Sequence, residues 1–246
     1  MNTRELIQQY RAGNRDFKGI DLAGIILYGI NFSQANFHRA NLSRAKLFEA
    51  NLQQCNFTEA TLNEANLSEA NLSRGNLNWI KLVDAVLNGA ILRQANMAEA
   101  QLNRAKLFET DLTETILSWA DLSRAKLYDA QLSWANLSGA NLSGAWLIGA
   151  TMNEANLSEA DLEYADLSYT DLREAKLSFA TLKHTVLREA NLSGADLREA
   201  DLTNADLTGA KLKWTNLNKA IVTKAQLAQA TELEGVVLPD GSTYGS

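Results

Sequence analysis

Side chains that could move protons, hold a metal or attack a carbonyl are scarce in this chain of 246 residues, carboxylates apart. Its two histidines are His38 and His184, and its one cysteine is Cys55. Imidazole chemistry, as ligand or as general base, needs a convergent partner. A single cysteine excludes a disulfide within the chain. Acids outnumber bases, 29 to 23, but a catalytic carboxylate pair needs a pocket that drives its two pKa values apart. No glycine-rich phosphate loop follows a strand and opens a helix, and no nucleophile elbow or cysteine pair is present. Aromatic residues beside lysines are the remaining resource, and exposed rings amid charge build protein contact sites. The elements that carry these residues decide which of them meet.

Those elements are set by a five-residue unit, plain at Ala135-Asn136-Leu137-Ser138-Gly139 and repeated at Ala140-Asn141-Leu142-Ser143-Gly144. A large apolar residue recurs at every fifth position from Phe17 to Leu227, giving 43 pentads without a slip of phase. Two positions before each centre, between Ala35 and Ala225, 31 of 39 residues are Ala. The exceptions are Cys55, Gly75, Ile80, Thr110, Thr115, Thr170, Thr185 and Thr215. On a helix a step of five turns the face by about 140°, and on a strand an odd step changes sides, so neither element buries every centre. The backbone must turn once per pentad to keep the centres on one axis.

The Ala-(Asp/Asn)-Leu-x-x unit, as in Ala165-Asp166-Leu167, Ala195-Asp196-Leu197, Ala205-Asp206-Leu207 and Ala40-Asn41-Leu42, resembles the pentapeptide-repeat proteins. The resemblance implies an all-β solenoid: a right-handed quadrilateral β-helix with four pentads per coil and about eleven coils. Twenty residues per coil also has support in the sequence. Arg44-Ala45-Lys46-Leu47-Phe48-Glu49 returns as Arg104 to Glu109 and as Arg124-Ala125-Lys126-Leu127-Tyr128-Asp129, at multiples of twenty. Stacked coils would lie about 4.8 Å apart and form a rod on the order of 50 Å long. The small residue beside each Leu leaves room for one long side chain per side, and overpacking would cost about 1–3 kcal/mol. Cys55, in that small series, reads as core filler.

Three segments follow: a capping helix and approach over 1–16, the β-helix over 17–229 and a C-terminal cap over 230–246. The helix is expected over residues 2–12, with Asn2 and Glu5 as a capping box, Leu6, Ile7 and Tyr10 as its apolar face and Gly13 at its end. Ile20, Ile25 and Ile30 make the first coil atypical, as terminal repeats are. Phase fails at Glu232; Val236 to Leu238 reads as a short strand and Pro239-Asp240-Gly241 as a turn. The strand is the second cap or, if its edge stays open, a dimer contact, so the chain is a monomer or an end-to-end homodimer. With one Pro in the whole chain, Asn, Ser and Gly are expected to make the turns. The segment after Arg11 and the Leu238-Pro-Asp-Gly241 tail resemble cyanobacterial members of the family. No apolar run approaches the ~18 residues of a membrane span, and the polar N-terminus does not look like a signal peptide. The protein is expected in the cytoplasm, without a membrane association.

Assigned to a four-sided coil, His38 and His184 fall on different faces and read as solvated, and the acids lie on a convex surface. No catalysis, metal or cofactor is expected. Gyrase-binding family members are held to mimic duplex DNA, which predicts an acidic stripe. Residues 1–150 carry 14 acids and 14 bases, while residues 151–210 carry twelve acids and five bases, a net of −7. Spread over four faces, that surplus leaves −1 or −2 on each, so the mimic is the alternative reading. An overall charge of −6 without a basic stripe speaks against direct nucleic-acid binding. One face stands out. The row containing Phe48, then Lys106 and Phe108, Lys126 and Tyr128, and Trp146 and Ile148 gathers aromatics and lysines on adjacent coils. It is either a ladder of rings that stabilises the stack or a site for a protein partner. Trp79, Trp119, Trp134 and Trp214 occupy the last pentad position and read as corner packing. The function that follows is a non-catalytic scaffold or regulator that presents its faces to a protein partner. Likeness to cyanobacterial members, one of which suppresses heterocyst formation, suggests control of growth or differentiation. A purely structural rod is the third reading.

Overall fold

The computed structural model describes residues 2–244. Met1 of the expected cap and Gly245 and Ser246 of the expected tail lie outside the described residues.

Why a pentad turns is visible in the five N–H groups of residues 41–45. Asn41 donates back to Ile20 O (2.9 Å), Leu42 forward to Thr61 O (2.7 Å) and Arg44 forward to Asn63 O (2.9 Å). Ala45 donates to Leu42 O (3.0 Å) and closes a β-turn. That leaves the N–H of Ser43 without a backbone acceptor, and Asn41 Oδ1 accepts it at 3.1 Å. A buried or half-buried N–H has to be satisfied somewhere, so the Asn or Asp before the centre completes the scheme.

Repeated along the chain, this joins residues twenty apart by parallel bridges from Asp16 and Asn36 to Lys211 and Thr231. Four turns per twenty residues make the coil four-sided. The sheets of the expected all-β solenoid are rows of isolated bridges rather than continuous strands, because each corner occupies most of its pentad. Turn chemistry also differs from expectation. The third turn position is left-handed at 32 non-glycine residues among those described, mostly Glu, Arg, Gln, Asp and aromatic, with Asn204 the one Asn. Stacking imposes that conformation against a local cost of about 1–2 kcal/mol per residue. Asn acts from before the centre.

Every centre from Phe17 to Leu217 is at most 3% exposed. Full burial of each is worth about 1.5–3 kcal/mol before chain entropy is charged against it. At four of the five positions where Thr replaces Ala, its hydroxyl donates to a Leu carbonyl of the previous coil: Thr110 to Leu87 (2.9 Å), Thr115 to Leu92 (2.9 Å), Thr185 to Leu162 (2.8 Å) and Thr215 to Leu192 (2.8 Å); Thr170 donates within its own turn, to Leu167 O. The buried polar atom is thereby satisfied, which is why the inner wall admits Thr.

At the N-terminal end α1 spans Thr3–Arg11, with the Asn2–Glu5 capping box formed and Gly13 just beyond it. Leu6 is fully buried, Tyr10 meets the Phe32 ring edge-on at 4.9 Å, and the Tyr10 hydroxyl donates to Ser33 O at 3.0 Å. At the other end the phase of the leucines misleads. Lys224–Leu227 is a short helix, α2, with a Thr223–Gln226 capping box, so the last two of the 43 pentads are not regular coil units. The Gln226 side chain donates to the carbonyls of Leu202 (2.7 Å) and Ala205 (2.9 Å); Ala205 O is the acceptor that the next coil's N–H would otherwise use, while Leu202 O also accepts from Ala205 within its turn. The chain then rejoins the stack, Thr231 beside Lys211 and Val237 beside Asn216. Val237 also pairs antiparallel with Thr243, and Leu238 donates to Ser242 O at 2.7 Å. The outer edge at Val236–Leu238, expected as a possible dimer contact, is therefore covered by the chain's own hairpin.

Candidate protein-interaction face

The row expected from the spacing forms. Bridges run Val86–Lys106, Lys106–Lys126, Lys126–Trp146 and Trp146–Asp166, so these coils share one face. Phe108 and Tyr128 stack with centroids 5.3 Å apart at 21°, and Tyr128 meets Trp146 edge-on at 5.7 Å. Lys126 Nζ lies 4.7 Å from the Trp146 ring centroid. Partial burial first, and the Asp166 carboxylate second, raise the Tyr128 hydroxyl above the usual phenol range, so it stays a neutral hydrogen-bonding group. Lys106 cannot accept the N–H of Phe108 as an Asn would. Asn88 Oδ1, one coil earlier, accepts it at 3.2 Å. Asn88 thus positions the first ring of the row, a role that its distance in sequence conceals.

Phe108, Tyr128 and Ile148 are half-buried, while Trp146 is 44% exposed. The rings support one another and end in an open indole. Phe48 belongs to the same row but sits three coils away, separated by Ser68 and Asn88, and does not join the cluster. Lys106 and Lys126 line a groove of about 540 Å³ with Asp84, Arg104, Arg124, Gly144 and Trp146.

The other chemical candidates stay apart. His38 is half-buried on one face; His184 stacks on Tyr164 with centroids 4.8 Å apart at 7°. Cys55 is 1% exposed, its Sγ lies 3.0 Å from Phe32 O, and burial pushes its thiol up to about 12. Among the described residues no three His, Cys, Asp or Glu side chains gather as a metal site. Four of the five bases in residues 151–210 are engaged by acids: Arg173 by Asp171, Lys183 by Asp201, Arg188 by Asp206 and Arg198 by Asp196.

Exposed rings that sequence reasoning passed over lie on the corners of a single coil: Tyr164 (63%), Tyr169 (67%) and Phe179 (57%). Their place two after a centre was the available signal, since that position points outward throughout. The corner tryptophans behave differently from one another. Trp119 lies across Gly139, where a Cβ would come within 2.6 Å of the indole, and the left-handed Gly139 gives it that room. Trp79 and Trp134 are about half-exposed.

Stacked pentads, inward leucines and an outward ring row define a quadrilateral repeat protein whose distinguishing features are its surfaces. The chain belongs to the pentapeptide-repeat family, whose pentapeptide-repeats model matches it in overlapping segments from residue 16 to residue 231. That membership implies the right-handed quadrilateral β-helix. No curated protein matches the chain significantly. Among solved structures it is similar to HetL, a pentapeptide repeat protein involved in heterocyst differentiation regulation from the cyanobacterium Nostoc sp. strain PCC 7120. The two are 32% identical over 99% of this chain and 100% of that chain, with a TM-score of 0.69. Rfr23 from the cyanobacterium Cyanothece 51142 is 30% identical over 47% of this chain and 90% of its own, with a TM-score of 0.44. QnrB1, a plasmid-mediated fluoroquinolone resistance protein, is 16% identical over 78% of this chain and 90% of its own, with a TM-score of 0.43. The last two likenesses are too loose to carry an argument. No helix among the described residues is long and apolar enough to cross a membrane.

Proposed function

We propose that this protein is a non-catalytic interaction scaffold or regulator in a cyanobacterium, acting in growth or differentiation control through a protein partner. The observation that carries the reading is its end-to-end likeness to HetL, a protein involved in heterocyst differentiation regulation. The partner face is the row Lys106, Phe108, Lys126, Tyr128, Trp146 and Ile148, with Phe48 as an outlying contact. Its open end at Trp146 supports this, because aromatic residues with one free face dominate contact energies. The rod works in the cytoplasm, without nucleic acid or membrane, and as a monomer, since the edge that an end-to-end homodimer would pair through is covered by the C-terminal hairpin. Its segments are the cap over 1–16, the β-helix over 17–229, which ends in α2, and the tail over 230–246.

The test is partner capture by the full-length protein and by Phe108→Ala plus Trp146→Ala. Loss of capture with the fold retained supports the face. If capture persists and only the melting temperature drops, the row is structural. The surplus of acids in residues 151–210 keeps the DNA mimic as a second reading. Inhibition of a topoisomerase by the purified protein, lost when those acids become Asn, would replace the proposal.

A further inference from the structure

The groove beside Trp146 is the one place among the described residues where Lys or Arg stacks on Lys or Arg of the next coil. Elsewhere the like charges that stack are carboxylates, as at Glu49 and Glu69 or Glu154 and Glu174, and corner cations meet acids at Arg39 with Glu59 (2.8 Å), Arg44 with Glu64 (3.8 Å) and Lys219 with Glu199 (3.3 Å). In the groove, cations stack on cations. Lys106 and Lys126 are directly bridged neighbours, and Arg104 precedes Arg124 by one coil on the adjoining corner. Like charges placed opposite one another on neighbouring strands destabilise them. Arg104 is relieved by Asp84 through two bonds, at 2.8 and 2.6 Å. Among the described residues Lys106, Arg124 and Lys126 make no ion pair, although Lys126 faces the Trp146 ring. Gly144 leaves the groove open beyond Arg124, since even a Cβ there would lie 3.6 Å from Arg124 Cγ.

We infer that this groove binds an acidic segment of a protein partner, with carboxylates on Lys106, Arg124 and Lys126 and an apolar side chain against Trp146. The inference rests on the proposed partner face and supplies the chemistry of its occupant. Charge complementarity selects the sign. The extent selects a peptide over a nucleic acid: unpaired cations span two coils, about 5 Å apart, whereas duplex DNA presents one phosphate charge per about 1.7 Å and needs a longer basic track. Asp166 follows Trp146 on the same face, and Glu109 and Asp129 occupy the next corner, so a longer polyanion would meet carboxylates.

The probe is a fluorescein-labelled poly-glutamate peptide ending in phenylalanine, titrated with the full chain in an anisotropy measurement. A poly-glutamine peptide with the same end, oligo-dT and inorganic phosphate serve as competitors. Saturable binding of the acidic peptide is expected, weakened at least about tenfold by Arg124→Glu plus Lys126→Glu and by added salt. Lys18→Glu plus Lys81→Glu, which changes the net charge equally at a distance, should leave it within about twofold. Equal loss in that control, equal binding of the poly-glutamine peptide, or competition by oligo-dT or phosphate as strong as by unlabelled peptide overturns the inference. No binding at all does so too. If the peptide fails while Phe108→Ala plus Trp146→Ala still abolishes partner capture, the face stands and its acidic occupant falls. If the peptide binds and capture ignores the ring variants, the groove stands and the ring face falls.

Discussion

Where Asn or Asp stands before the centre, one side-chain oxygen completes the turn. Asn141 shows the neutral form: Oδ1 accepts the Ser143 N–H at 3.0 Å and the Ser143 hydroxyl at 2.7 Å. Asp206 makes the same pair of bonds to Thr208, at 3.0 and 2.6 Å. The anion is therefore optional for the turn, and its extra consequence is a dependence on pH. Arg173, through its side-chain bond, holds the Asp171 carboxyl below the usual range, and Arg198 does the same to Asp196. At Asp206 the Thr208 hydroxyl contributes most, followed by its N–H and by Arg188. A carboxyl whose folded pKa is depressed contributes stability above its unfolded value of about 3.9, and that contribution is lost as pH falls through the folded value. The melting temperature should thus drop on acidification below about pH 4. Replacing Asp171, Asp196 and Asp206 together by Asn keeps the turn bonds, so the variant's acid-induced loss should be smaller than that of the natural chain. Thermal melts at a series of pH values compare the two; equal slopes would remove these three groups from the account.

Between coils the unit of stabilisation is a column of like residues. Phe17, Phe37 and Phe57 stack inside, at 5.4 and 5.1 Å, and Phe108 and Tyr128 stack outside at 5.3 Å. A double-mutant cycle of Phe108→Ala and Tyr128→Ala, read by denaturant unfolding, should give a coupling of about 0.5–1.5 kcal/mol. A coupling near zero would mean that the rings merely share a face. These columns were legible once the family resemblance, supported by motif copies at multiples of twenty, set four pentads per coil: the row from Lys106 to Trp146 then follows from counting. The N-terminal helix was legible from Asn2, Glu5 and Gly13, whose signals are local and agree with the tertiary packing. At the C-terminal end they conflict. Val222 and Leu227 keep the phase, but the Thr223–Gln226 capping box and the acceptors of the last full coil favour a helix. The Asn88 bond to Phe108 and the pairing of Arg104 with Asp84, which leaves Arg124 without an acid, escaped for another reason. Both depend on which neighbour twenty residues away supplies the compensating group, and no local pattern marks it.

Because the pentads share one scheme of inter-coil and turn bonds between backbone groups, the rod should tolerate changes of length in units of five, while its surface should tolerate them only in units of twenty. Deleting residues 136–140 removes one pentad and turns everything after it by a quarter of a coil. Trp146 would then pair with Asp121 instead of Lys126, and Thr151 would take its place beside Lys126. The core still closes, since Leu142 takes the place of Leu137, and Trp119 meets Gly144 in place of Gly139, so its close approach survives. In a nearest-neighbour solenoid the shortened chain should unfold cooperatively, with stability lower by about 1–3 kcal/mol. Deleting residues 61–80, a whole coil, leaves the order of every later row intact. The pair of deletions separates fold from face: circular dichroism should report the same β-type spectrum for both, while partner capture should persist after the twenty-residue deletion and vanish after the five-residue one. Unfolding of the five-residue variant would show that pentads are not interchangeable and that coil identity, beyond phase, holds this rod together.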